Sequence, residues 1–287
     1  MVTRRQVEIP EVGYRPADAR PVGIEVVSLA DIAGRVPARS LASPHRADFH
    51  ILILITAGEG SHEIDFVSHH CHPSTLLWIR PGQAHRFHLP GSIDGKVVLF
   101  TADFPPDPGV TGLTGRLATP RWDLAEPDLA AISTTIDQIA TERAAPADAM
   151  PVALLRHLLA VLLLRIDRLP TGDVHRGGTA VTDLFARFQA ELERSFASTR
   201  SAEHYAARLG YTVKTLTRSC VAATGHPAKH LIDARVILEA QRLLAYTDAP
   251  VADIGRRLGF TDPANFGKFF NRHTSTTPGA FRDVQRR

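Results

Sequence analysis

The sequence predicts an α+β chain of more than one domain. A β-rich N-terminal part folds as a small barrel or sandwich, and an all-α C-terminal part carries two helix-turn-helix motifs. Three observations predict this. Between about Val22 and Phe104, short β-branched runs are interrupted by turn residues every ten or so positions. After Pro120 the apolar residues recur at steps of three and four, the spacing of helices. Near the C-terminus a pattern running from Ser201 to Thr212 returns from Pro250 to Thr261. The length of 287 residues suits about two domains.

His50-Ile-Leu-Ile-Leu-Ile55 is an apolar strand, ended by Gly58-Glu-Gly60. His62 to Phe66 alternates polar and apolar. Thr75 to Ile79 is closed by Arg80-Pro-Gly82, and Val97 to Phe100 follows Gly95. Leu124 to Glu142 then reads as a helix. Met150 to Arg168 is a stronger one, with Pro151 near its first turn, where a missing N–H is tolerated. Val152, Leu155, Leu159, Leu162 and Ile166 have the spacing of a coiled-coil-like seam. Leu154, Leu158, Val161 and Leu163 widen that face, so the helix suits a dimer contact, packing on its own β-domain, or both. Pro170 to Gly178 has linker composition. Beyond it Leu184, Phe185, Phe188, Leu192 and Phe196 share one helical face. The expected divisions are a β domain over 1–120, a helical segment over 121–169 that is a candidate for dimerisation, a linker over 170–180, and the helix-turn-helix domain over 181–287.

Hydrophobic residues make up 44% and charged residues 22%, which excludes a disordered or fibrous chain. The longest apolar runs, Ile51–Ile55 and Leu158–Leu164, are far shorter than the ~20 residues of a membrane span. Residues 1–20 have no apolar core of the secretory type. The two cysteines, Cys71 and Cys220, fall in different expected domains, so no disulfide framework is expected and a reducing, cytoplasmic compartment is the default. Charge is uneven. Residues 180–287 carry 16 Lys+Arg against 10 Asp+Glu, whereas residues 1–179 carry 17 against 20. A basic end on a mildly acidic body suits a polyanionic partner.

In the repeated pattern, each copy has a short apolar-stepped helix followed by Leu-Gly-aromatic, Leu209-Gly-Tyr211 and Leu258-Gly-Phe260. Small residues, Ala206 and Gly255, stand where two helices cross closely, and Gly210 and Gly259 allow the sharp turn. Thr212 and Thr261 follow, each able to N-cap a second helix. In the first of these second helices Leu216 and Cys220 are expected inside, with Lys214, Thr215, Arg218 and Ser219 outside. In the second, Phe266, Phe269 and Phe270 are expected inside, with Asn265, Lys268 and Arg272 outside. Asn, Arg and Lys match base edges or phosphates. A connecting helix within Pro227–Tyr246, if about 18 residues long, spans roughly 27 Å. That is close to the ~34 Å between successive major-groove faces of a duplex. Double-stranded DNA is therefore the expected partner.

Residues 181–287 resemble the DNA-binding domain of the AraC/XylS family of bacterial transcription regulators. The residues that carry the resemblance are Ala206, Leu209-Gly-Tyr211, Leu216, Gly225, Arg235, Ala240, Leu243-Leu244, Ile254, Leu258-Gly-Phe260, Phe266, Phe269-Phe270, Pro278 and Phe281-Arg282. Cys220 departs from a usual phenylalanine, Gly255 from a usual alanine and Ser275 from a usual glycine, the last at a helix end. The resemblance implies asymmetric promoter sites, usually activation, and contact with RNA polymerase. The N-terminal part is similar to the cupin-like sensor domain of the same family through Pro44-His-Arg-Ala-Asp-Phe-His50, Gly58-Glu-Gly60 and Ile79-Arg-Pro-Gly-Gln-Ala-His85. That implies a small-molecule effector held in a cupin-like β-barrel, binding one of two states better than the other.

Eight of the 14 histidines lie between His45 and His88. Strand-borne imidazoles suit metal binding, but the His-x-His of metal-binding cupins is broken here, as His45-Arg-Ala47. No metal or other cofactor is expected, and His69, His70 and His72 read as an exposed turn. The effector candidates are His45, Arg46, His50, Trp78, Arg80 and His85: arginines for an anion, aromatics for an apolar wall. Two other functions compete: a metal-dependent cupin enzyme with a regulatory appendage, and a helical adaptor for a protein partner. The broken pair argues against the first, and the exposed cations against the second. There is no nucleophile–base constellation and no phosphate-cradling glycine loop, so no catalysis is expected.

Overall fold

The computed structural model describes residues 8–16, 22–88, 93–106, 120–145, 152–170 and 179–286. Pro151 and most of the expected linker, residues 171–178, lie outside them. The chain forms two compact units, one from Pro10 to Gly172, the other from Asp173 to Arg287 together with the start of the chain up to Ile9. Among the described residues no helix is long and apolar enough to cross a membrane.

The first unit runs β1 (Glu11–Val12), β2 (Ile24–Ser28), α1 (Leu29–Arg35), α2 (Ala38–Ala42), β3 (Arg46–Ala47), β4 (His50–Ala57), β5 (Gly60–Ile64), β6 (Val67–Cys71), β7 (Thr75–Ile79), β8 (His85–His88), β9 (Asp94–Phe100), β10 (Arg121–Asp123), α3 (Glu126–Ala144) and α4 (Val152–Asp167). A five-stranded antiparallel sheet has the order β10-β7-β4-β9-β2, and a three-stranded one the order β6-β5-β8. β1 and β3 form a short parallel pair. The expected barrel is therefore a cupin-like pair of facing sheets rather than one closed ladder among the described strands. An isolated bridge between His45 and His85 ties β8 of the smaller sheet to the residue just before β3. The expected turn at His69–His72 is corrected: His69 and His70 belong to β6, paired with His62 and Ser61, and the chain turns only after Cys71.

The centre of the five-stranded sheet is buried on both faces, which explains the unbroken apolar runs Ile51–Ile55 of β4 and Leu76–Ile79 of β7. One face carries Leu52, Leu54, Leu76, Trp78, Val98 and Phe100 and packs on α3 and α4. The other carries Ile51, Ile53, Leu77, Ile79 and Val97 and packs on Ile64, Cys71 and Phe87 of the smaller sheet. α4 presents Leu155, Leu159, Leu162 and Ile166 to the first of these layers, all fully or almost fully buried. These four residues of the expected seam thus serve the protein's own core, and truncating Leu159 to alanine would cost about 2–5 kcal/mol. A different stripe of α4, comprising Leu154, Val161 and Leu164 with half-buried Leu158 between them, faces outward.

The second unit is helical: α5 (Thr179–Ser195), α6 (Ala202–Leu209), α7 (Val213–Thr224), α8 (Ala228–Tyr246), α9 (Val251–Arg257), α10 (Pro263–Thr274) and α11 (Pro278–Gln285). It has two cores. One joins α5, α6, α7 and the start of α8; the other joins the rest of α8 to α9 and α10. Cys220 is fully buried in the first core, and burial pushes its thiol up to about 12.

Candidate functional site

α6–α7 and α9–α10 are the two helix-turn-helix units. Ser201 caps α6 by accepting from the His204 N–H at 3.1 Å. Gly210 ends α6 in the left-handed region, and the Tyr211 N–H reaches back to the Ala206 carbonyl at 2.9 Å. Thr212 caps α7, its hydroxyl accepting from the Thr215 N–H at 3.2 Å. In the second unit Gly259 has φ +75°, and the Phe260 N–H bonds the Gly255 carbonyl at 2.9 Å, the same closure one repeat later. Gly255 marks the close crossing: a Cβ there would stand 3.1 Å from the Phe266 side chain.

The cap of α10 is a correction. Asp262, not Thr261, accepts from the Ala264 N–H at 2.9 Å. Pro263 takes the first helical position, where its fixed φ and lack of N–H fit, and so the cap falls one residue later than in the first repeat. Thr261 is exposed just ahead of the helix.

On α7, Leu216 and Cys220 point inward as expected, and Lys214 and Arg218 are exposed. Thr215 is half-buried, its hydroxyl 3.0 Å from that of Thr212. Ser219 is corrected: it is buried, because three residues after Leu216 it returns to the inner face. On α10, Phe266, Phe269 and Phe270 are buried while Asn265, Lys268 and Arg272 are exposed. Asn271 is exposed as well, three residues beyond Lys268, a signal that the helical spacing already held. Both second helices thus offer a cationic, hydrogen-bonding outer face on an aromatic or apolar inner one.

Ser275, at the end of α10, keeps the left-handed cap geometry without the usual glycine, at φ 56°. The helix end at Thr274–Pro278 is therefore intact, with Thr277 capping α11 through the Ala280 N–H at 3.2 Å.

The six effector candidates do not converge. His50, Trp78 and Arg80 cluster together. The Trp78 indole donates to His50 Nδ1 at 3.2 Å, and Trp78 lies in the layer under α3 and α4. The Arg80 guanidinium sits 4.4 Å over the Trp78 ring, and complete burial lowers its pKa to about 9. Buried together, these three form one group of the candidates. His45, Arg46 and His85 lie elsewhere, where the start of β3 meets β8 of the smaller sheet. There His85 meets His62, which sequence reasoning missed: His85 Nδ1 is 3.2 Å from His62 Nε2. The His45 and His85 rings are 4.3 Å apart, and His45 Nδ1 bonds the Ser43 carbonyl at 2.9 Å. Burial, with His62 and His45 alongside, holds His85 well below the usual imidazole range, so it is neutral at pH 7. Its enclosed Nε2 has no hydrogen-bond partner among the described residues. Arg46 is half-buried on β3 opposite Glu11. The missed signal is strand parity, since His62 and Ile64 share a face and pair with Phe87 and His85 of β8. Among the described residues no group of three or more His, Cys, Asp or Glu is arranged to hold a metal ion.

Comparison with known proteins bears on both units. Residues 205–283 match the family model of a helix-turn-helix domain, and residues 27–107 that of an AraC-like ligand binding domain. The HTH-type transcriptional activator RhaS of Enterobacter sp. (strain 638) is 24% identical over 281 residues, covering 94% of this chain and 95% of that protein. RhaR of Cronobacter sakazakii, also an HTH-type transcriptional activator, is 24% identical over 265 residues, covering 88% and 90%. Among solved structures, ToxT from Vibrio cholerae O395 overlaps 92% of this chain and 98% of its own at 10% identity, with a TM-score of 0.39. A ligand-binding domain of this type precedes a double helix-turn-helix whose two outer faces are basic, and the chain belongs to the AraC/XylS family of DNA-binding transcription regulators that respond to a small molecule.

Proposed function

We propose that the protein is a promoter-binding activator that reads a two-box site with α7 and α10. One observation carries this reading. Two helices at equivalent places in a repeat expose Lys214 and Arg218 on one, and Asn265, Lys268 and Arg272 on the other, each on a fully packed helix-turn-helix. α8, at 19 residues, measures about 28 Å and suits adjacent major grooves. Thr212, Thr215 and Thr261 lie at or just before the two helix starts and would meet the backbone there. Ser219 supports α7 from inside instead. Activation rather than repression follows the relatives' names, and contact with RNA polymerase follows the family.

The effector is assigned to the layer between the sheets, beside His45, His62 and His85, where a neutral buried imidazole has an unused nitrogen. The outward stripe of α4 is assigned to a homodimer, since Leu154, Val161 and Leu164 are 41–51% exposed on one helix. The cytoplasm is the expected compartment for this activity.

The test is capture of genomic fragments by the full chain at physiological salt. Enrichment of a few promoter-proximal sites sharing a two-part motif is the expected outcome. Arg218→Ala and Asn265→Ala should each weaken binding to such a site by about 1–3 kcal/mol if the residue reads a base. Affinity should fall steeply with salt, as phosphate neutralisation releases counterions. No enrichment, with shallow salt dependence, would refute the reading.

A further inference from the structure

A single helix is a poor ruler for DNA. Helices curve with radii of ~60–100 Å, so ordinary variation in the bend of a ~28 Å helix moves its far end by several ångströms. One base step along a strand is about 3.4 Å. If α8 alone joined the two helix-turn-helix units, their separation would be uncertain by about a base pair.

The structure holds a second tie. Residues Phe196–Arg200 precede the first helix-turn-helix in sequence but grip the turn of the second. Phe196 packs against both cores of the unit. Arg235 lies 3.8 Å over the Phe196 ring, and its Nε donates to both carboxylate oxygens of Glu193 at 3.0 Å. Arg200 Nη1 donates to the Leu258 carbonyl at 2.8 Å, and its guanidinium stacks 3.8 Å over the Phe260 ring. The backbone closes in behind it: a Cβ on Gly259 would stand 2.6 Å from the Ala197 carbonyl oxygen. The Leu258-Gly259-Phe260 turn sets the angle between α9 and α10. Whatever holds this turn also holds α10.

We propose that Arg200 is a positioning residue that fixes the spacing and helical phase of the two recognition helices, so that the protein rejects two-box sites whose separation differs by one base pair. The planar guanidinium is suited to this, bonding a carbonyl at its edge while stacking on an aromatic face, which a lysine ammonium cannot do. The proposal rests on the reading that both helices contact DNA.

The experiment is parallel selection from a random-sequence duplex library with the full-length protein, its Arg200→Ala variant and its Arg200→Lys variant. The readout is the distribution of separations between the two half-motifs. The unaltered protein should enrich one separation. Both variants should enrich the same half-motifs with separations spread over neighbouring base pairs. On the selected duplex and its one-base-pair insertion, the unaltered protein should show at least a several-fold preference, and the variants a ratio near one. Variants that retain the single separation and the full preference would overturn the proposal. Variants that lose the half-motifs, or both lose helical circular dichroism, would also overturn it, by making Arg200 a base-reading or folding residue. If the unaltered protein enriches no motif, the DNA reading fails first and the proposal falls with it.

Discussion

Replacing Gly210 and Gly259 with alanine, one at a time, sets two equivalent positions of the repeat against each other. Both glycines are exposed and left-handed, at φ +79° and +75°. An L-residue in that region costs about 1–2 kcal/mol, offset by about 0.4–1 kcal/mol because alanine has less freedom than glycine in the unfolded chain. Around Gly210 a Cβ meets nothing within 4 Å, so Gly210→Ala should cost only that balance, about 0.5–1 kcal/mol. At Gly259 the new Cβ meets the Ala197 carbonyl oxygen at 2.6 Å, and that oxygen is backbone. It must retreat by several tenths of an ångström, pulling away the segment that carries Arg200. Losing a hydrogen bond to a charged group typically costs about 1.5–3 kcal/mol, less here because Arg200 is partly exposed. Gly259→Ala should therefore cost about 2–3 kcal/mol in all. Hydrogen exchange of α7 and α10 amides in the full chain reads the two sites separately, backed by urea unfolding. Equal costs at the two glycines, or a larger one at Gly210, would refute the close approach at Gly259 and the reasoning built on it.

Three other outcomes are expected. His85 titrates well below the usual 6.5 in the folded chain, so the unfolded chain takes up a proton that the folded one refuses. Stability is full above pH 6.5 and should fall by about 1 kcal/mol between pH 6.5 and 5.5. Urea unfolding at the two pH values checks this, and His85→Asn should flatten the dependence. Ser275→Gly should relieve left-handed strain at φ 56° and stabilise the second unit by about 0.5–1 kcal/mol, with DNA affinity unchanged. Denaturant midpoints and anisotropy titrations measure the two parts. Val161→Glu on the outward stripe of α4 should leave secondary structure intact but shift sedimentation from dimer to monomer. A variant that remains dimeric would move the interface elsewhere.

The helix-turn-helix pair was legible because α7 and α10 each bury one face and wet the other, so a period near 3.6 is written into their residues. Its errors are local. Ser219 is small and polar but sits three residues after Leu216, and position outweighed polarity. Thr261 matched the first repeat, yet Pro263 moved the cap to Asp262. The strands were legible as strands, but not which way they face. β4 and β7 are buried on both sides, so alternation vanishes and nothing in the residues separates Trp78, facing the helices, from Ile79, facing the other sheet. That is why six effector candidates split into two groups, and why His62 was missed. Likewise α4 is apolar nearly all round, and only packing decided that Leu155 and Leu159 go inside while Leu154 and Val161 stay out.

Cys220 gives the first helix-turn-helix an internal clock for its own opening. Burial pushes its thiol up to about 12, so it stays protonated at pH 7, and the sulfur is sealed in the core beside α6. Peroxide and alkylating reagents act on thiolate, so the folded motif is inert to them. The rate at which an alkylating reagent consumes Cys220 then reports how often α7 lifts from its core. Operator DNA, by holding α7 down, should slow that reaction in proportion to the affinity it gains from the closed form.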